Sequence, residues 1–227
     1  MKSLKMLLAG LTTGLLLFGL ISSAVATSYD ATTDFSITNG NPNGAWSYGW
    51  MDNHTFSMFS LYTDTRLDNG NRPAWYSSSN GTEPVIWRND SLSTMWSVAP
   101  GQLSLHPGSS GQASVLRWTA QSDGLVDISG QFLSGDTGSM SLGIRQDTNW
   151  LWQGQDSGMF SLQRTLSKND TIDFLVFNGY YYGNTPLELT ISSKDTAPVP
   201  EPATMLLLGT GLTGLIGSRI RRKKSRS

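Results

Sequence analysis

The sequence predicts an all-β protein, an antiparallel β-sandwich of jelly-roll type, flanked by an N-terminal signal peptide and a single C-terminal transmembrane helix. Apolar residues occupy every second position at 140–144, 172–176 and 187–191, which is the period of a strand with one buried face. Turn dipeptides such as Asn39-Gly40 and Asp123-Gly124 separate the segments. Between the two flanking segments, no stretch keeps the apolar 3.6-residue period of a helix. Many short strands joined by turns are typical of a sandwich.

The first 26 residues have the composition of a secretory signal peptide. Lys2 and Lys5 precede the apolar stretch 7–21, and Ala24-Val25-Ala26 forms a small-x-small cleavage site. We therefore expect signal peptidase to cut after this site, so that the mature protein begins at Thr27. The alternative, a first transmembrane helix, is disfavoured because polar residues follow without basic stop-transfer residues.

The body, residues 27–196, is long enough for one domain with a buried core. Its segment 63–113 is rich in Ser, Asn, Gly and Pro, and we expect this segment to carry long loops. The chain has no cysteine, which excludes disulfides, thiol catalysis and cysteine metal sites, so packing must stabilise the fold. Further strands are predicted at 35–37, 46–51, 55–62, 85–88, 115–120, 125–133, 150–153 and 159–166.

The body is acidic although the whole chain is almost neutral. Residues 27–198 hold 8 Lys and Arg against 16 Asp and Glu, a net charge near −8, whereas the full chain has a net charge of −1. The difference arises because both ends of the chain are basic. An acidic body disfavours nucleic acid and anionic lipid, so we expect no nucleic-acid partner.

The C-terminal tail, residues 197–227, has the pattern of a membrane segment. The apolar stretch 203–220 forms a helix of about 27 Å if fully helical, which is just enough to span the hydrocarbon core of a bilayer. A cluster of basic residues ends the chain, and the positive-inside rule keeps such a cluster in the cytoplasm, so the body lies outside. The basic residues of this cluster are Arg219, Arg221, Arg222, Lys223, Lys224 and Arg226.

Three consecutive features make the tail resemble the PEP-CTERM sorting signal of bacteria. They are Val199-Pro200-Glu201-Pro202, the Leu- and Gly-rich stretch 203–220, and the basic cluster at 219–226. The resemblance implies that a membrane-embedded exosortase recognises the tail, cuts it near Pro-Glu-Pro, and releases or transfers the protein to the cell surface. Proline on both sides of Glu201 keeps this segment extended and accessible to a protease. A plain membrane anchor is the simpler alternative.

The body also resembles a recurrent module of exported bacterial proteins. The residues that carry the resemblance are Asn41–Gly49, Leu105–Gly108, Arg117–Ala120 and Asp170–Phe174. The module is similar in strand pattern to jelly-roll carbohydrate-binding modules, and the resemblance implies no particular activity. Relatives tend to end in Asp-x-Thr-x-Leu, whereas this chain has Gly183-Asn184-Thr185-Pro186-Leu187, so an acidic site is not expected there.

The residues available for catalysis are few. The only histidines are His54 and His106, predicted respectively as a turn residue and as a residue with a structural hydrogen bond. No zinc spacing, phosphate-binding loop or nucleophile elbow is present, so we expect no catalytic site, metal site or cofactor. A glycosidase with two carboxylates stays open as an alternative, and Glu83 and Glu188 are the only glutamates of the body.

Aspartates of the body concentrate in predicted turns, where capping of the local backbone is their expected role. A structural calcium ion held by such loops stays open, although no EF-hand-like string occurs. The aspartates concerned are Asp68, Asp123, Asp136 and Asp170.

Aromatic residues are the strongest indication of a binding function. Trp46, Tyr48 and Trp50 alternate and therefore share one face of a strand, as do Trp150 and Trp152. Such rings either stack on sugars or fill the core of a sandwich. Core is favoured for Trp46, Tyr48 and Trp50, which are nevertheless kept as candidates for ligand binding. Because consecutive residues cannot all point inward from a strand, at least one ring of the run Tyr180-Tyr181-Tyr182 is expected at the surface, where it is a candidate for ligand binding.

These observations predict a non-catalytic, exported protein of the cell surface or extracellular matrix whose body binds polysaccharide. Before processing, the helix at 203–220 would anchor it in the inner membrane. Two alternatives stay open, a carbohydrate-active hydrolase that uses loop carboxylates and a structural envelope protein that self-associates through sheet edges.

Overall fold

The structure, a computed structural model, describes residues 26–68 and 71–195, without the side chains of Lys194 and Asp195. Ala26 is therefore the only described residue of the predicted signal peptide, and the whole sorting tail lies outside the described residues. Within the described ranges, no helix is long and apolar enough to cross a membrane. The predicted transmembrane helix at 203–220 belongs to the part that is not described.

The described residues fold into 14 strands and one short 3-10 turn at Ser78–Asn80. In chain order the strands are β1 (Ala26–Asp30), β2 (Trp46–Asp52), β3 (Ser60–Leu61), β4 (Asp64–Asp68), β5 (Arg72–Tyr76), β6 (Val85–Arg88), β7 (Leu103–His106), β8 (Gln112–Thr119), β9 (Gly124–Phe132), β10 (Ser141–Gln146), β11 (Asn149–Gln155), β12 (Gly158–Leu166), β13 (Thr171–Phe177) and β14 (Thr185–Asp195).

The last eight strands form a jelly roll. They pair as β7 with β14, β8 with β13, β9 with β12 and β10 with β11, so the second half of this region retraces the first half in reverse. One sheet contains β7-β14-β9-β12, and the other contains β8-β13-β10-β11. Every pairing is antiparallel, which confirms the predicted antiparallel sandwich.

The N-terminal strands widen both sheets on the side of β7 and β8. Beyond β7 the first sheet continues through β6, β5 and β4, and with β1 it has eight strands. Beyond β8 the second sheet continues through β2 and β3 to a total of six. Strands β7 and β1 share one edge of β14. Leu103–Leu105 of β7 pair with the first residues of β14, and β1 pairs with residues 190–194 of β14.

The segment 63–113 is more regular than the sequence predicts, since β4, β5 and β7 lie there besides the expected strand at 85–88. Pro73 lies in β5, but pairing with β6 begins only at Ala74, so its missing N–H interrupts no bond to β6. Conversely, the predicted strand at 35–37 is a loop. Of the predicted strand at 55–62 only β3 forms, because Phe56 has a φ of 48° and bends the chain.

The core lies between the two sheets and is rich in aromatic rings. Trp46, Tyr48, Trp118, Phe132 and Phe174 are almost completely buried in one continuous cluster. Several rings meet edge to face, the favoured arrangement of aromatic pairs; for example, the centroids of Phe35 and Tyr48 are 5.2 Å apart. Burial of each such side chain stabilises the fold by roughly 1.5–3 kcal/mol, which offsets the lack of disulfides.

Two smaller apolar clusters lie on the outer faces of the sandwich. Ile86 belongs to the central core, whereas its neighbours Val85 and Trp87 pack in a separate cluster on the other side of the eight-stranded sheet. In the same way, Val115 and Leu175 pack outside the six-stranded sheet, beneath Phe56, Phe59 and Trp150. Each outer cluster forms the base of a cavity.

Candidate ligand-binding site

A cavity of about 530 Å³ lies on the outer face of the eight-stranded sheet. Its floor comes from β4, β5, β6 and the end of β7, and its walls come from the loops that follow β6 and β9 and from the turn before β14. Two aromatic side chains exposed at the surface, Trp96 and Tyr182, line it.

Trp96 stands at the tip of a two-residue turn. Met95 and Val98 exchange both backbone hydrogen bonds, at 3.0 and 2.8 Å, and the two residues between them have φ angles of 47° and 62°. Positive φ at both central positions is the type I′ geometry, which normally selects Asn-Gly, yet this turn contains Trp96-Ser97. The ring is 50% exposed and lies edge to face with Trp87 at 5.7 Å. Backbone strain of this kind concentrates at functional sites.

Tyr182 is the second exposed ring of the cavity and also has a positive φ, 57°. It is 67% exposed, and its neighbour Tyr181 is 78% exposed but does not line the cavity. Tyr180 is half-buried and packs edge to face on His106 at 5.7 Å. The charge of Glu83 raises the pKa of Tyr180. The run of tyrosines thus places rings at the surface, as the sequence predicts, and directs one of them into this cavity.

Polar side chains on the cavity floor are fixed by hydrogen bonds. Trp87 Nε1 donates to Asn184 Oδ1 at 2.9 Å, and Asn184 Nδ2 donates to Asp136 Oδ2 at 2.8 Å. His106 Nδ1 lies 2.8 Å from the Pro107 carbonyl, and its Nε2 accepts from the backbone N–H of the residue after Tyr182 at 3.3 Å. Burial lowers the pKa of His106, so the neutral ring that accepts this bond is favoured. The predicted structural role of His106 agrees with these bonds.

Two arginines bring positive charge to the cavity. The Arg72 guanidinium lies 4.1 Å from the centre of the Trp96 ring and 5.7 Å from that of Trp87. Burial lowers the pKa of the Arg72 guanidinium, since the residue is only 8% exposed. Arg66 pairs with Asp68, with 2.6 Å between Nε and Oδ2. The cavity therefore presents aromatic surface, fixed hydrogen-bonding groups and charges of both signs.

The three alternating rings of β2 belong to the core instead of a surface platform. Trp46 and Tyr48 are 2% and 0% exposed, and Trp50 is partly buried and packs against the same central cluster. Trp46 Nε1 donates to Asp34 Oδ2 at 3.0 Å. Burial raises the pKa of Tyr48 to about 12. Trp46 and Tyr48 are therefore not accessible to a ligand in the folded protein.

Trp150 and Trp152 lie on opposite faces of β11, although simple alternation places them on one face. A bulge explains this correction, because Ile144 of β10 pairs with Trp152 while the next residue, Arg145, already pairs with Trp150. Trp152 consequently packs against Phe132 in the core. Trp150 packs on the outer face of the six-stranded sheet.

The two glutamates of the body line different cavities. Glu83 lies at the edge of the cavity just described, beside Thr82, whose hydroxyl donates to it. Glu188 is exposed on β14, accepts from Gln131 Nε2 at 2.5 Å and lines another depression. The predicted pair of glutamates is therefore not brought together, whereas Glu83 and Asp136 line the same cavity.

The turn aspartates are engaged with backbone N–H groups or neighbouring side chains. Asp123 Oδ1 accepts from the N–H of Lys168 at 2.7 Å, and Asp170 Oδ2 accepts from the N–H of Ser167 at 2.9 Å. His54 is exposed in the turn after β2. In the described part of the chain, no group of three or more His, Asp or Glu side chains is arranged to hold a metal ion.

Trp96, Arg66 and Arg72 are members of the cavity that the sequence did not single out. The turn at 96–97 contains neither the Asn nor the Gly that a type I′ turn normally uses. The sequence indicated this part of the cavity only through an isolated tryptophan in a Ser-rich segment.

Residues 198–223 match the PEP-CTERM protein-sorting motif. The chain therefore carries this sorting signal at its C-terminus, which marks an exported protein sorted to the cell surface and implies processing by an exosortase. The matched range includes 199–202 and the basic residues up to 223, and it ends before Lys224 and Arg226. A search of curated protein sequences gives no significant match.

Three solved structures resemble the chain weakly. The enzymatically active domain of tailspike protein 4 from bacteriophage CBA120 is 11% identical with a TM-score of 0.30, covering 72% of this chain and 22% of that one. CBM35 from Paenibacillus barcinonensis is 9% identical with a TM-score of 0.29, covering 74% of this chain and 99% of that one. The third is isomalto-dextranase from Arthrobacter globiformis T6 complexed with panose, 11% identical with a TM-score of 0.29, covering 74% of this chain and 23% of that one. At such low TM-scores, these structures say nothing about the ligands or the activity of this chain.

Proposed function

We propose that this exported protein binds polysaccharide of the cell surface or extracellular matrix, without catalysis, in the cavity lined by Trp96 and Tyr182. The observation that carries the proposal is the pair of exposed rings, both held at positive φ and both lining one cavity. Ligand contact explains backbone strain at two aromatic residues of the same cavity more simply than packing does.

The chemistry of the cavity suits a sugar chain. Flat aromatic surfaces pack against the C–H faces of pyranose rings, and the fixed side chains of Asn184 and Asp136 are placed to exchange hydrogen bonds with hydroxyl groups. Arg66 and Glu83 add donors and acceptors at the cavity edge. The volume of about 530 Å³ lies within the usual range for small-ligand sites, enough for one or two sugar units.

The test is binding of the host's own extracellular polysaccharide to residues 26–195, measured by affinity electrophoresis and calorimetry. This segment is one compact unit that contains all described strand pairings, so it is suitable for expression alone. We expect Tyr182→Ala to weaken binding about tenfold, because a stacked ring contributes on the order of 1 kcal/mol or more. Tyr181→Ala is the matched control, since that ring is more exposed but does not line the cavity.

Equal loss of binding in the Tyr181 and Tyr182 variants, or no binding by the unmodified segment, would contradict the proposal. The second of these outcomes would favour the structural envelope protein that associates through its sheet edges.

A hydrolase is the second candidate, because Glu83 and Asp136 line the cavity that holds the two exposed rings. Two carboxylates across a bound sugar are the minimum that glycoside hydrolysis needs. The same polysaccharide distinguishes the candidates: release of reducing ends that disappears in both Glu83→Gln and Asp136→Asn, with binding retained, would establish the enzyme.

In this proposal the predicted signal peptide, cut after Ala26, starts export, and the helix at 203–220 holds the protein in the inner membrane until the sorting tail is processed. The motif at 198–223 supports the last step.

A further inference from the structure

A second cavity, of about 640 Å³, lies on the outer face of the six-stranded sheet. The loop 53–59 and the turn between β10 and β11 border it. The residues that matter for its chemistry are Phe56, Phe59, Arg117, Arg145, Asp147 and Trp150.

Arg145 is buried in this cavity, and none of the ion pairs found among the described residues involves it. The residue is 4% exposed, and its guanidinium lies 5.2 Å from the centre of the Phe56 ring and 5.0 Å from that of Trp150. Its Nη1 donates to the Phe56 carbonyl at 3.1 Å, and its Nε is buried without a hydrogen-bond partner among the described residues. A buried guanidinium normally gains a carboxylate or several acceptors, because desolvation of the charge is unfavourable.

The acidic residue that pairs with Arg145 across the sheet is already engaged. Asp173 of β13 pairs in register with Arg145 on one side and with Arg117 on the other. Both its oxygens accept from Arg117, from Nε at 2.6 Å and from Nη2 at 2.9 Å. Asp147 lines the cavity from the exposed turn, and the described structure has no ion pair between it and Arg145. Arg145, Asp173 and Arg117, which lie side by side on three strands, thus carry a net charge of one positive unit.

We infer that this cavity is a second binding site, which takes the oxyanion of an acidic sugar unit, a carboxylate or a sulfate ester. A guanidinium that keeps unused donors and lies among aromatic rings is suited to a charge-assisted hydrogen bond with an oxyanion and to apolar contact with the attached sugar ring. The net charge near −8 of residues 27–198 opposes general attraction of polyanions. Acidic polysaccharide is therefore held by this local charge.

The competing explanation is that Arg145 only fastens the loop 53–59 through the Phe56 carbonyl. Variants that change charge without changing this loop distinguish the two. Asp147 has a φ of 53° and is exposed, so Asp147→Asn keeps a residue that tolerates this backbone and removes the negative charge that competes with a ligand.

The experiment measures binding of tetragalacturonate to residues 26–195 by calorimetry at physiological ionic strength. We expect the anionic tetramer to bind about tenfold more tightly than its methyl ester, because the ester cannot form the charge-assisted bond. Asp147→Asn should tighten binding roughly threefold by removing a like charge. Arg145→Lys should weaken it about tenfold, because the ammonium group lacks the planar fork.

A sulfated tetramer and inorganic sulfate separate the sources of the oxyanion. Preference for the sulfated tetramer would assign the site to sulfate esters and keep the inference. Equal affinity for the acid and its ester, no effect of Asp147→Asn, or inorganic sulfate binding as tightly as either tetramer would overturn it. Tyr182→Ala should leave this binding unchanged, so failure here and failure of the proposed function are separate outcomes.

Discussion

At the scale of single residues, the backbone of the turn at Trp96-Ser97 is strained, although the turn could form from residues that avoid this strain. Both residues have positive φ, a conformation that costs an ordinary side chain roughly 1–2 kcal/mol. A Gly in either place would form the same turn with less strain. The turn thus holds Trp96 at the cavity at the expense of stability, in line with the binding role that we propose.

We expect Ser97→Gly to raise the free energy of unfolding by roughly 0.5–1 kcal/mol, because glycine adopts positive φ without a side-chain clash. Urea unfolding of residues 26–195, monitored by tryptophan fluorescence, measures the change. Ser93→Gly, in the same loop but not at a positive φ, should lower the stability slightly. A loss of stability in Ser97→Gly would show that the turn is not strained.

At the scale of strands, close backbone approach in the eight-stranded sheet depends on a glycine. Gly130 of β9 lies between β12 and β14, paired with Phe160 and Leu189. A Cβ built there would come within 2.1 Å of the Glu188 carbonyl oxygen. Because that oxygen belongs to the backbone of β14, no side-chain rotation relieves the contact.

We expect Gly130→Ala to lower the free energy of unfolding by about 1–3 kcal/mol, because β9 and β14 must move apart locally. The loss of stability is measurable by chemical denaturation. The control is Ser129→Ala, one residue away and exposed, which should change stability by less than about 0.5 kcal/mol. Equal effects of the two substitutions would refute the role of the close contact.

Sequence reasoning found most of the strands that carry apolar alternation, and also the short strand β6. Strands β8, β9, β12 and β13 fall within a few residues of their predicted bounds, because each alternates into a deep core. Strands β4 and β5 were not predicted, because both are short, β4 is mostly polar and β5 begins with Arg72 and Pro73, although the two strands pair with each other. The bulge opposite Trp150 has no local signature, so alternation misplaced that ring.

In the cavity, the tyrosine run was predictable, but Trp96 was not, because its turn lacks the residues that such turns normally use.

At the scale of the whole molecule, a sorting motif follows directly on a domain whose outer faces carry two cavities of different character. One is lined by exposed rings and charges of both signs, and the other holds a buried cation. Of the eight basic residues in 27–198, four line these two cavities: Arg66, Arg72, Arg117 and Arg145. Half of the basic residues in 27–198 thus line the two cavities.

Replacement of Pro200, Glu201 and Pro202 by alanine should abolish processing of the tail, because the motif at 198–223 loses the three residues that give it its name. We expect the uncut chain to accumulate in the membrane fraction, as measured by cell fractionation and intact mass. Tyr182→Ala, which alters only the binding cavity, should be processed normally. Unchanged mass and location of the triple variant would exclude the sorting role.

The position of β14 has a consequence for the order of events during secretion. β14 is the last described strand, yet it lies inside the eight-stranded sheet, with β9 on one edge and β7 and β1 on the other. A polypeptide threaded outward from its N-terminus cannot close this sheet until residue 195 has emerged. Until then β9 and β7 have no partner on the edges that β14 will fill. Closure of the eight-stranded sheet therefore requires export of nearly all of the chain that precedes the sorting motif at 198–223.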